Sequence, residues 1–241
     1  MSAEPGPEKP DWEAQTAGVT WKKLLGTIGL AALLVATLFL SSGRLNWAMA
    51  WVYVGMRVAV GVAGMLAIAS RAPGLLEERF RPGRGAQAWD RPLAGVSMIL
   101  WPVSLIVAGL DARFGWSWEI PLAVRLVALA LLLLGDLFSK WAAASNCFYS
   151  RVIRIQGDRG HAVVTSGPYR FVRHPGYAGA LVTGLATPVA LGSLWALVAG
   201  GMMALLLVVR TALEDQLLHK ELHGYTEYAQ RTRSRLVPGV W

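Results

Sequence analysis

The stretch of sequence that decides the fold is residues 175–209, PGYAGALVTGLATPVALGSLWALVAGGMMALLLVV. These 35 residues include no charged side chain. The run is too long for one ordinary transmembrane helix, which needs about 20 residues, and short for two long ones. Pro188 and the pair Gly192-Ser193 lie near its middle, and both residue types interrupt helices. We therefore predict a hairpin of two short transmembrane helices that turns at Gly192-Ser193.

Four further apolar segments precede this run, at residues 24–43, 47–69, 92–110 and 121–141. Together with the hairpin they predict an all-α, polytopic membrane bundle of about six transmembrane helices. The composition agrees, because 54% of the residues are hydrophobic and 16% are charged, against about 25% charged in soluble domains. We divide the chain into a disordered cytoplasmic N-terminal tail (1–21), a four-span bundle (22–141) and a C-terminal region (142–241) that comprises a cytoplasmic segment, the hairpin and an amphipathic helix.

The distribution of Lys and Arg predicts the orientation of the bundle. With six spans, nineteen of the 23 basic residues fall on the side of both termini. Only Arg44, Arg113 and Arg125 fall on the opposite side, and Arg57 lies within a span. This bias places both termini in the cytoplasm of a multi-pass integral membrane protein, in the inner membrane if the source is bacterial. It also accounts for the net charge of +8 through contact with anionic membrane lipids, so we predict no nucleic-acid partner.

Two clusters at the ends of the hairpin could carry chemistry. Residues 161–177, HAVVTSGPYRFVRHPGY, contain two His, two Arg and two Tyr just before and at a helix start, where free N–H groups attract anions. Arg210 and Glu214 follow the hairpin on one helix face. An interfacial basic collar and a plain ion pair between Arg210 and Glu214 remain the structural alternatives for the two clusters. We predict no metal site, since His219 and His223 have no evident third ligand.

Two more features complete the prediction. Leucines and tyrosines between residues 217 and 228 recur at roughly helical spacing and predict an amphipathic C-terminal helix, interrupted at Gly224. Arg57 and Asp136 are charges within predicted spans, and such charges commonly pair inside a bundle.

Four motifs in order carry a resemblance to a known family. They are GPYRFVRHPGY at 167–177, then an Arg and a Glu at 210 and 214, GYTEY at 224–228 and RLVP at 235–238. This series resembles the isoprenylcysteine carboxyl methyltransferase family of integral-membrane enzymes over about residues 145–241. The resemblance implies S-adenosylmethionine as methyl donor and a lipophilic or prenylated acceptor that enters from the bilayer.

The resemblance also implies roles for individual residues. The donor would be bound by Gln156, His161, Ala162, Val163, Val164, Tyr169, His174, Pro175, Gly176, Tyr177 and Glu214. The catalytic set would be Arg210, Glu214 and His174, with Arg210 near an acceptor carboxylate. The chemistry of the donor is compatible, since Glu214 suits its ammonium group and helix-end N–H groups suit its carboxylate.

Two other functions stay open at this point. The first is N-methylation of a lipid amine, for which Glu214 or His174 would act as the base. The second is an NADPH-dependent, sterol-type membrane reductase, in which Arg151, Arg154 and Arg159 would bind the 2′-phosphate.

Overall fold

The computed structural model describes residues 11–71, 85–150 and 152–241, and within these ranges the chain is helical with no strand. Seven α-helices follow one another: α1 (Asp11–Ser42), α2 (Ala48–Arg71), α3 (Asp90–Phe114), α4 (Leu122–Ser145), α5 (Pro175–Leu191), α6 (Ala196–Glu221) and α7 (Tyr225–Arg231). Two short 3-10 turns, Gly157–Arg159 and Gly167–Arg170, lie in the segment between α4 and α5. Much of the loop predicted after the second span (residues 72–84) lies outside the described residues.

Six of the seven helices are apolar, as the sequence predicts. Four of them, α2, α3, α4 and α6, contain segments long and apolar enough to cross a bilayer. The apolar part of α1, Ile28–Ser42, and the 17-residue α5 are shorter. Large hydrophobic side chains such as Leu126, Leu134 and Leu205 are exposed on the outside of the bundle, where lipid covers them. The protein is therefore an integral membrane protein with a polytopic helical fold.

The start of the first helix and the end of the second hairpin helix differ from the prediction. The first helix already begins at Asp11, directly after Pro10, so only residues 1–10 of the expected disordered tail lie outside the described residues. The second arm of the hairpin continues to Glu221 without a break. No Gly or Pro occurs between residues 202 and 223, so nothing in the sequence stops the helix at the membrane boundary. The predicted interruption at Gly224 is confirmed, since Gly224 has φ +81° and precedes α7.

The hairpin turn lies where the sequence predicts it. Gly192 adopts φ +82°, a conformation that favours glycine, and its N–H bonds back to the carbonyl of Val189 at 3.0 Å. The neighbouring Ser193 donates its hydroxyl to Asp111 of α3, which is buried and also accepts the backbone N–H of Ser117 at 2.8 Å. These bonds fix the tip of the hairpin against α3.

The first arm of the hairpin packs most closely against α4. The contact is made by glycines, since a Cβ added to Gly135 would lie 2.8 Å from the carbonyl oxygen of Gly179. Small residues allow two membrane helices to approach this closely. A hydrogen bond at 3.1 Å from Ser139 to the carbonyl of Gly176 ties the start of α5 to α4.

The predicted pairing of Arg57 with Asp136 is confirmed. The guanidinium of Arg57 on α2 donates to the carboxylate of Asp136 on α4, inside the bundle. Thr183 of α5 donates to the other carboxylate oxygen at 3.4 Å. Three helices thus meet at one partly buried ion pair.

Candidate functional site

The residues predicted to bind a donor surround one cavity, at the end of the bundle where α5 begins and α6 ends. Its walls come from the segment between α4 and α5, the first turn of α5, the last turns of α6, and α7. All eleven predicted donor-binding residues line it: Gln156, His161, Ala162, Val163, Val164, Tyr169, His174, Pro175, Gly176, Tyr177 and Glu214. The fold therefore brings together residues that are up to 58 positions apart in the sequence.

Asp215 is the centre of the network that holds this cavity together. It is fully buried and receives Nε and Nη2 of Arg173 at 2.9 and 3.1 Å. The hydroxyl of Tyr225 donates to it at 2.9 Å, and Nε of Arg235 donates at 2.8 Å. One carboxylate thus links α6 with the start of α5, with α7 and with the C-terminal segment.

Arg173 has a structural role in this network. Beyond Asp215, its Nη1 donates to the carbonyls of Thr232 and Arg233 at 3.0 and 2.7 Å. Its backbone N–H also donates to the carbonyl of Ser234 at 2.9 Å. The guanidinium lines the cavity, but its donors bind the scaffold.

His174 lies directly before α5 and is almost fully buried. Its Nε2 is 3.3 Å from the carboxylate of Asp215 and 3.3 Å from the hydroxyl of Tyr225. No hydrogen bond to Nδ1 occurs within the described residues, so Nδ1 is the nitrogen left for a ligand. The ring stacks on Tyr177 with centroids 6.0 Å apart.

Glu214 presents the clearest sign of a missing partner. Its Oε2 is buried and has no hydrogen-bond partner among the described residues. A buried polar atom without a partner is costly, so a cationic or N–H donor is the expected ligand. Glu214 and Asp215 are adjacent on a helix and therefore project about 100° apart. One faces the cavity, and the other faces the scaffold.

The wall formed by residues 146–164 is held by side-chain to backbone bonds. Gln156 is buried, and its Nε2 donates to the carbonyl of Phe148 at 2.6 Å. Arg159 donates to Oε1 of Gln156 at 2.6 Å and to the carbonyl of Cys147 at 3.1 Å. The amide of Gln156 therefore shapes the wall more than it offers free groups to a ligand. Burial, together with the charges of Arg154 and Arg159, lowers the pKa of His161, which favours a neutral imidazole there.

A group of tyrosines closes the cavity on the side of α7. The hydroxyl of Tyr228 donates to the carbonyl of Tyr169 at 2.7 Å, and Asn146 donates to the hydroxyl of Tyr169 at 3.1 Å. Burial raises the pKa of Tyr228 to about 12, and burial also raises the pKa of Tyr169 and Tyr225. All three side chains stay neutral near pH 7 and offer aromatic faces to a ligand.

Arg210 does not line this first cavity, and it does not form the simple pair with Glu214 that the spacing suggests. Its Nε and Nη2 bind the carboxylate of Asp90 on α3 at 2.7 and 3.1 Å, in a bidentate pair. Its guanidinium also lies over the ring of Tyr177, 5.5 Å from the centroid. The physical reason is position: Asp90, at the start of α3, is fully buried and needs a cation.

A second cavity of about 320 Å³ lies within the apolar part of the bundle and contains Arg210 at one end. Tyr149 and Gly176 line both cavities, so the two adjoin there, and the ring of Tyr149 packs against Gly176 between them. Its walls come from five helices: Arg57 of α2, Ser97, Trp101, Ser104 and Leu105 of α3, Asp136 and Ser139 of α4, Ala180, Thr183, Gly184 and Thr187 of α5, and Met203, Leu207 and Arg210 of α6. Of the predicted catalytic residues, Glu214 and His174 thus line the first cavity and Arg210 lines the second.

Sequence reasoning missed the roles of Asp90 and Asp215. Both could have been suspected, since each is an acidic residue beside the end of an apolar run, where a buried carboxylate requires a partner. The partners themselves are 120 and 42 positions away in the chain and follow only from the fold.

The basic cluster considered for a dinucleotide phosphate is largely engaged within the protein. Arg154 pairs with Asp158 at 3.0 Å, and Arg159 is held by Gln156 and Cys147 as described. Arg151 lies outside the described residues. A group of three or more His, Cys, Asp or Glu side chains suited to a metal ion does not occur in the part of the chain that the structure describes.

Comparisons with known proteins locate the relationship in the same region. Residues 127–220 match the family model of isoprenylcysteine carboxyl methyltransferases. A probable protein-S-isoprenylcysteine O-methyltransferase of Oryza sativa subsp. indica is 30% identical over 116 residues, which are 47% of this chain and 61% of the rice protein. The corresponding protein of Oryza sativa subsp. japonica gives the same values. Protein-S-isoprenylcysteine O-methyltransferase B of Arabidopsis thaliana is 28% identical over 109 residues, 44% of this chain and 55% of that protein.

The matched segment spans about three fifths of the length of the rice relatives. The segment that matches the family model, residues 127–220, contains all eleven residues predicted to bind a donor, together with Arg210. The resemblance to the isoprenylcysteine carboxyl methyltransferase family is therefore confirmed over residues 127–220, the part of this chain that supplies both clusters of predicted site residues.

Proposed function

We propose that this protein is a membrane-embedded methyltransferase that uses S-adenosylmethionine to O-methylate the carboxylate of a lipophilic acceptor. The observation that carries the proposal is that a polar cavity and a membrane-embedded cavity adjoin at Tyr149 and Gly176. One cavity opens among polar and aromatic groups at the end of the bundle, and the other extends between the membrane helices. A polar donor and a lipophilic acceptor would approach each other from these two directions.

The first cavity fits the methyl donor through its charged and aromatic groups. Glu214, with its unpartnered buried Oε2, would bind the ammonium group. The N–H of Gly176 in the first turn of α5 would bind the carboxylate, beside the ring of His174, since Pro175 has no N–H and the N–H groups of Tyr177 and Ala178 donate to the carbonyl of His174. Tyr169 and Tyr225 offer faces on which the adenine can pack. When bound, the donor would supply an electrophilic methyl group: a carboxylate oxygen would form the new O–CH3 bond as the S–CH3 bond breaks, and S-adenosylhomocysteine would leave.

The acceptor carboxylate would lie at the junction of the cavities, beside Arg210. A carboxylate is ionised near pH 7 and needs no general base, so the protein has mainly to hold it in line with the methyl group. Asp90 fixes two nitrogens of the Arg210 guanidinium and stacks the group over Tyr177. In this account Arg210 binds the acceptor, Asp90 positions Arg210, and Glu214 and His174 bind the donor. An isoprenylcysteine-like acid is the acceptor class that the related proteins suggest by their names.

The orientation in the membrane is part of the proposal. The bias of basic residues places both termini and the first cavity on the cytoplasmic side. The donor would then enter from the cytoplasm and the acceptor from the bilayer. The protein would lie in the inner membrane if its source is bacterial.

A binding experiment tests the donor site. S-adenosylhomocysteine should stabilise the detergent-purified protein in a thermal-shift titration, while NADPH should not. Glu214→Gln should weaken S-adenosylhomocysteine binding about tenfold or more, since hydrogen bonds to charged groups contribute about 1.5–3 kcal/mol. Glu221→Gln is the matched control, because it makes the same change at an exposed position of the same helix. Stabilisation by NADPH without a response to S-adenosylhomocysteine would instead support a reductase.

A further inference from the structure

The ion pair between Arg57 and Asp136 leaves most of the guanidinium unused. Arg57 is the tenth residue of the 24-residue α2, so it lies near the middle of the helix and away from both membrane surfaces. A guanidinium has five N–H donors, and among the described residues only the one bond from Nη1 to Asp136 is formed. The side chain is 20% exposed, and it lines the second cavity. Lipid tails offer no acceptor for the remaining donors.

The carboxylate of Asp136, the other member of the pair, can also accept a further hydrogen bond. Asp136 accepts from Arg57 on one oxygen and from Thr183 on the other, at 3.4 Å. A carboxylate has about four lone-pair sites, so it can accept a further donor. Arg57, Asp136 and Thr183 therefore form a polar group in the wall of an otherwise membrane-embedded cavity.

The charge of this group restricts the ligand. The Arg57–Asp136 pair is neutral overall, and it lies away from the cationic methyl donor, whose charge would balance the carboxylate beside Arg210. An anionic ligand would therefore bring an uncompensated negative charge next to Asp136 in a medium of low dielectric constant. A neutral hydroxyl or carbonyl oxygen can accept from Arg57 without that cost. A hydroxyl can in addition donate to Asp136.

The distance from the methyl-transfer junction follows from the helix. Gly176 lies at the junction of the two cavities, and Thr183 lies seven residues further along α5. At 1.5 Å per residue this is a separation of roughly 10 Å along the helix axis. A single extended ligand can therefore reach from the junction to the polar group.

We propose that the acceptor carries a second polar group, a neutral hydroxyl or carbonyl, that binds at Arg57 and Asp136 about 10 Å from the methylated carboxylate. This inference rests on the proposed function, and it narrows the substrate class. It favours an oxygenated lipophilic acid over a plain hydrocarbon or prenyl chain.

A positional series of acceptors tests the inference. Long-chain fatty acids that carry one hydroxyl, moved stepwise along the chain, are compared with the unsubstituted acid of the same length. The wild-type protein should show a KM about tenfold lower for the best-placed hydroxyl than for the plain acid. Equal KM values across the series would overturn the inference.

Two variants test whether the Arg57–Asp136 pair causes the preference for the hydroxylated acid. The paired substitution Arg57→Met with Asp136→Leu removes both charges, which avoids leaving one buried charge alone. It should abolish the preference for the hydroxyl, so that the KM values of the best-placed hydroxylated acid and of the plain acid become equal. Thr183→Val, which keeps the charges and the approximate shape, should reduce the preference about threefold. Met203→Leu, in the same cavity, should retain it in full. A preference that persists in both the paired variant and Thr183→Val would contradict the inference.

A second readout separates this inference from the proposed function. The same acids are titrated in a thermal-shift assay with S-adenosylhomocysteine present, where no turnover is required. If no acid is esterified but the hydroxylated acid still stabilises the wild-type protein more than the plain acid, the binding site is supported and the proposed reaction is wrong. If ester forms at equal rates from all acids and no stabilisation difference is seen, the reaction stands and the inference fails.

Discussion

At the scale of the residue, the site depends on two adjacent carboxylates with different surroundings. Glu214 has a buried oxygen without a partner, while Asp215 is surrounded by donors from Arg173, Arg235 and Tyr225. Their sequence positions show only that both lie beyond an apolar run. The partition into a ligand-binding carboxylate and a structural one follows from the helical rotation of about 100° between them.

The role of Asp215 predicts a large effect on stability. Asp215→Asn would leave the buried guanidinium of Arg173 without its counter-charge, and breaking such a pair costs about 3–5 kcal/mol. We expect the free energy of unfolding, measured by denaturant titration in detergent, to fall by about that amount. Asp158→Asn is the control, because it removes a carboxylate from an exposed pair with Arg154 and should change stability by less than about 1 kcal/mol. Equal stability of the two variants would contradict the assignment.

At the scale of the element, the hairpin was predictable and its contacts were not. The position of Gly192-Ser193 within an uncharged run was enough to place the turn. The pairing of α5 with α4 through Gly135 and Gly179 could not be predicted. In a helix that is apolar on all sides, the sequence does not indicate which face packs against a neighbouring helix. The engagement of Arg210 by Asp90 likewise depends on how α3 and α6 lie together.

The glycine contact gives a matched pair of substitutions in α5. A Cβ on Gly179 would collide with the backbone of α4, at Gly135 and Ser139, whereas a Cβ on Gly184 would lie 3.4 Å from the flexible end of Met203. We expect Gly179→Ala to lower the thermal unfolding temperature in detergent by several degrees and Gly184→Ala to leave it nearly unchanged. A reversed order of the two variants would show that the helices do not approach each other at Gly179.

The first cavity also predicts a movement of its wall. Its volume is about 110 Å³, below the 300–1,000 Å³ typical of pockets for drug-sized ligands. Among the described residues of the segment 146–164, the regular backbone structure is one short 3-10 turn, so this is the wall with the least regular backbone bonding. We expect hydrogen exchange in this segment to slow when S-adenosylhomocysteine binds, while exchange in α3 stays the same. Unchanged exchange in residues 146–164 at saturating ligand would contradict a wall that moves to admit the donor.

At the scale of the whole molecule, the sequence predicted the fold class well, but it did not predict the contacts between helices that are far apart in the chain. Long uncharged runs are sufficient to predict a helical membrane protein, because lipid tolerates few other structures. The residues implied by the resemblance predicted the donor cavity closely, because its lining residues lie in two stretches, 146–177 and 214–228, on either side of the hairpin. The second cavity could not be predicted, because Arg57, Asp136 and Arg210 come from three helices that are far apart in the chain.

The central claim is that a polar donor cavity and a membrane-embedded acceptor cavity meet to transfer a methyl group to a carboxylate. The most direct test uses S-adenosylmethionine with a radiolabelled methyl group and an S-farnesylcysteine derivative or a long-chain fatty acid as acceptor. We predict labelled product whose methyl group is released as volatile methanol by mild alkali, as expected of an ester, with wild-type protein and Glu221→Gln but at strongly reduced rates with Glu214→Gln. Alkali-stable label on an amine acceptor, or no labelled product with any acceptor despite bound S-adenosylhomocysteine, would contradict the account.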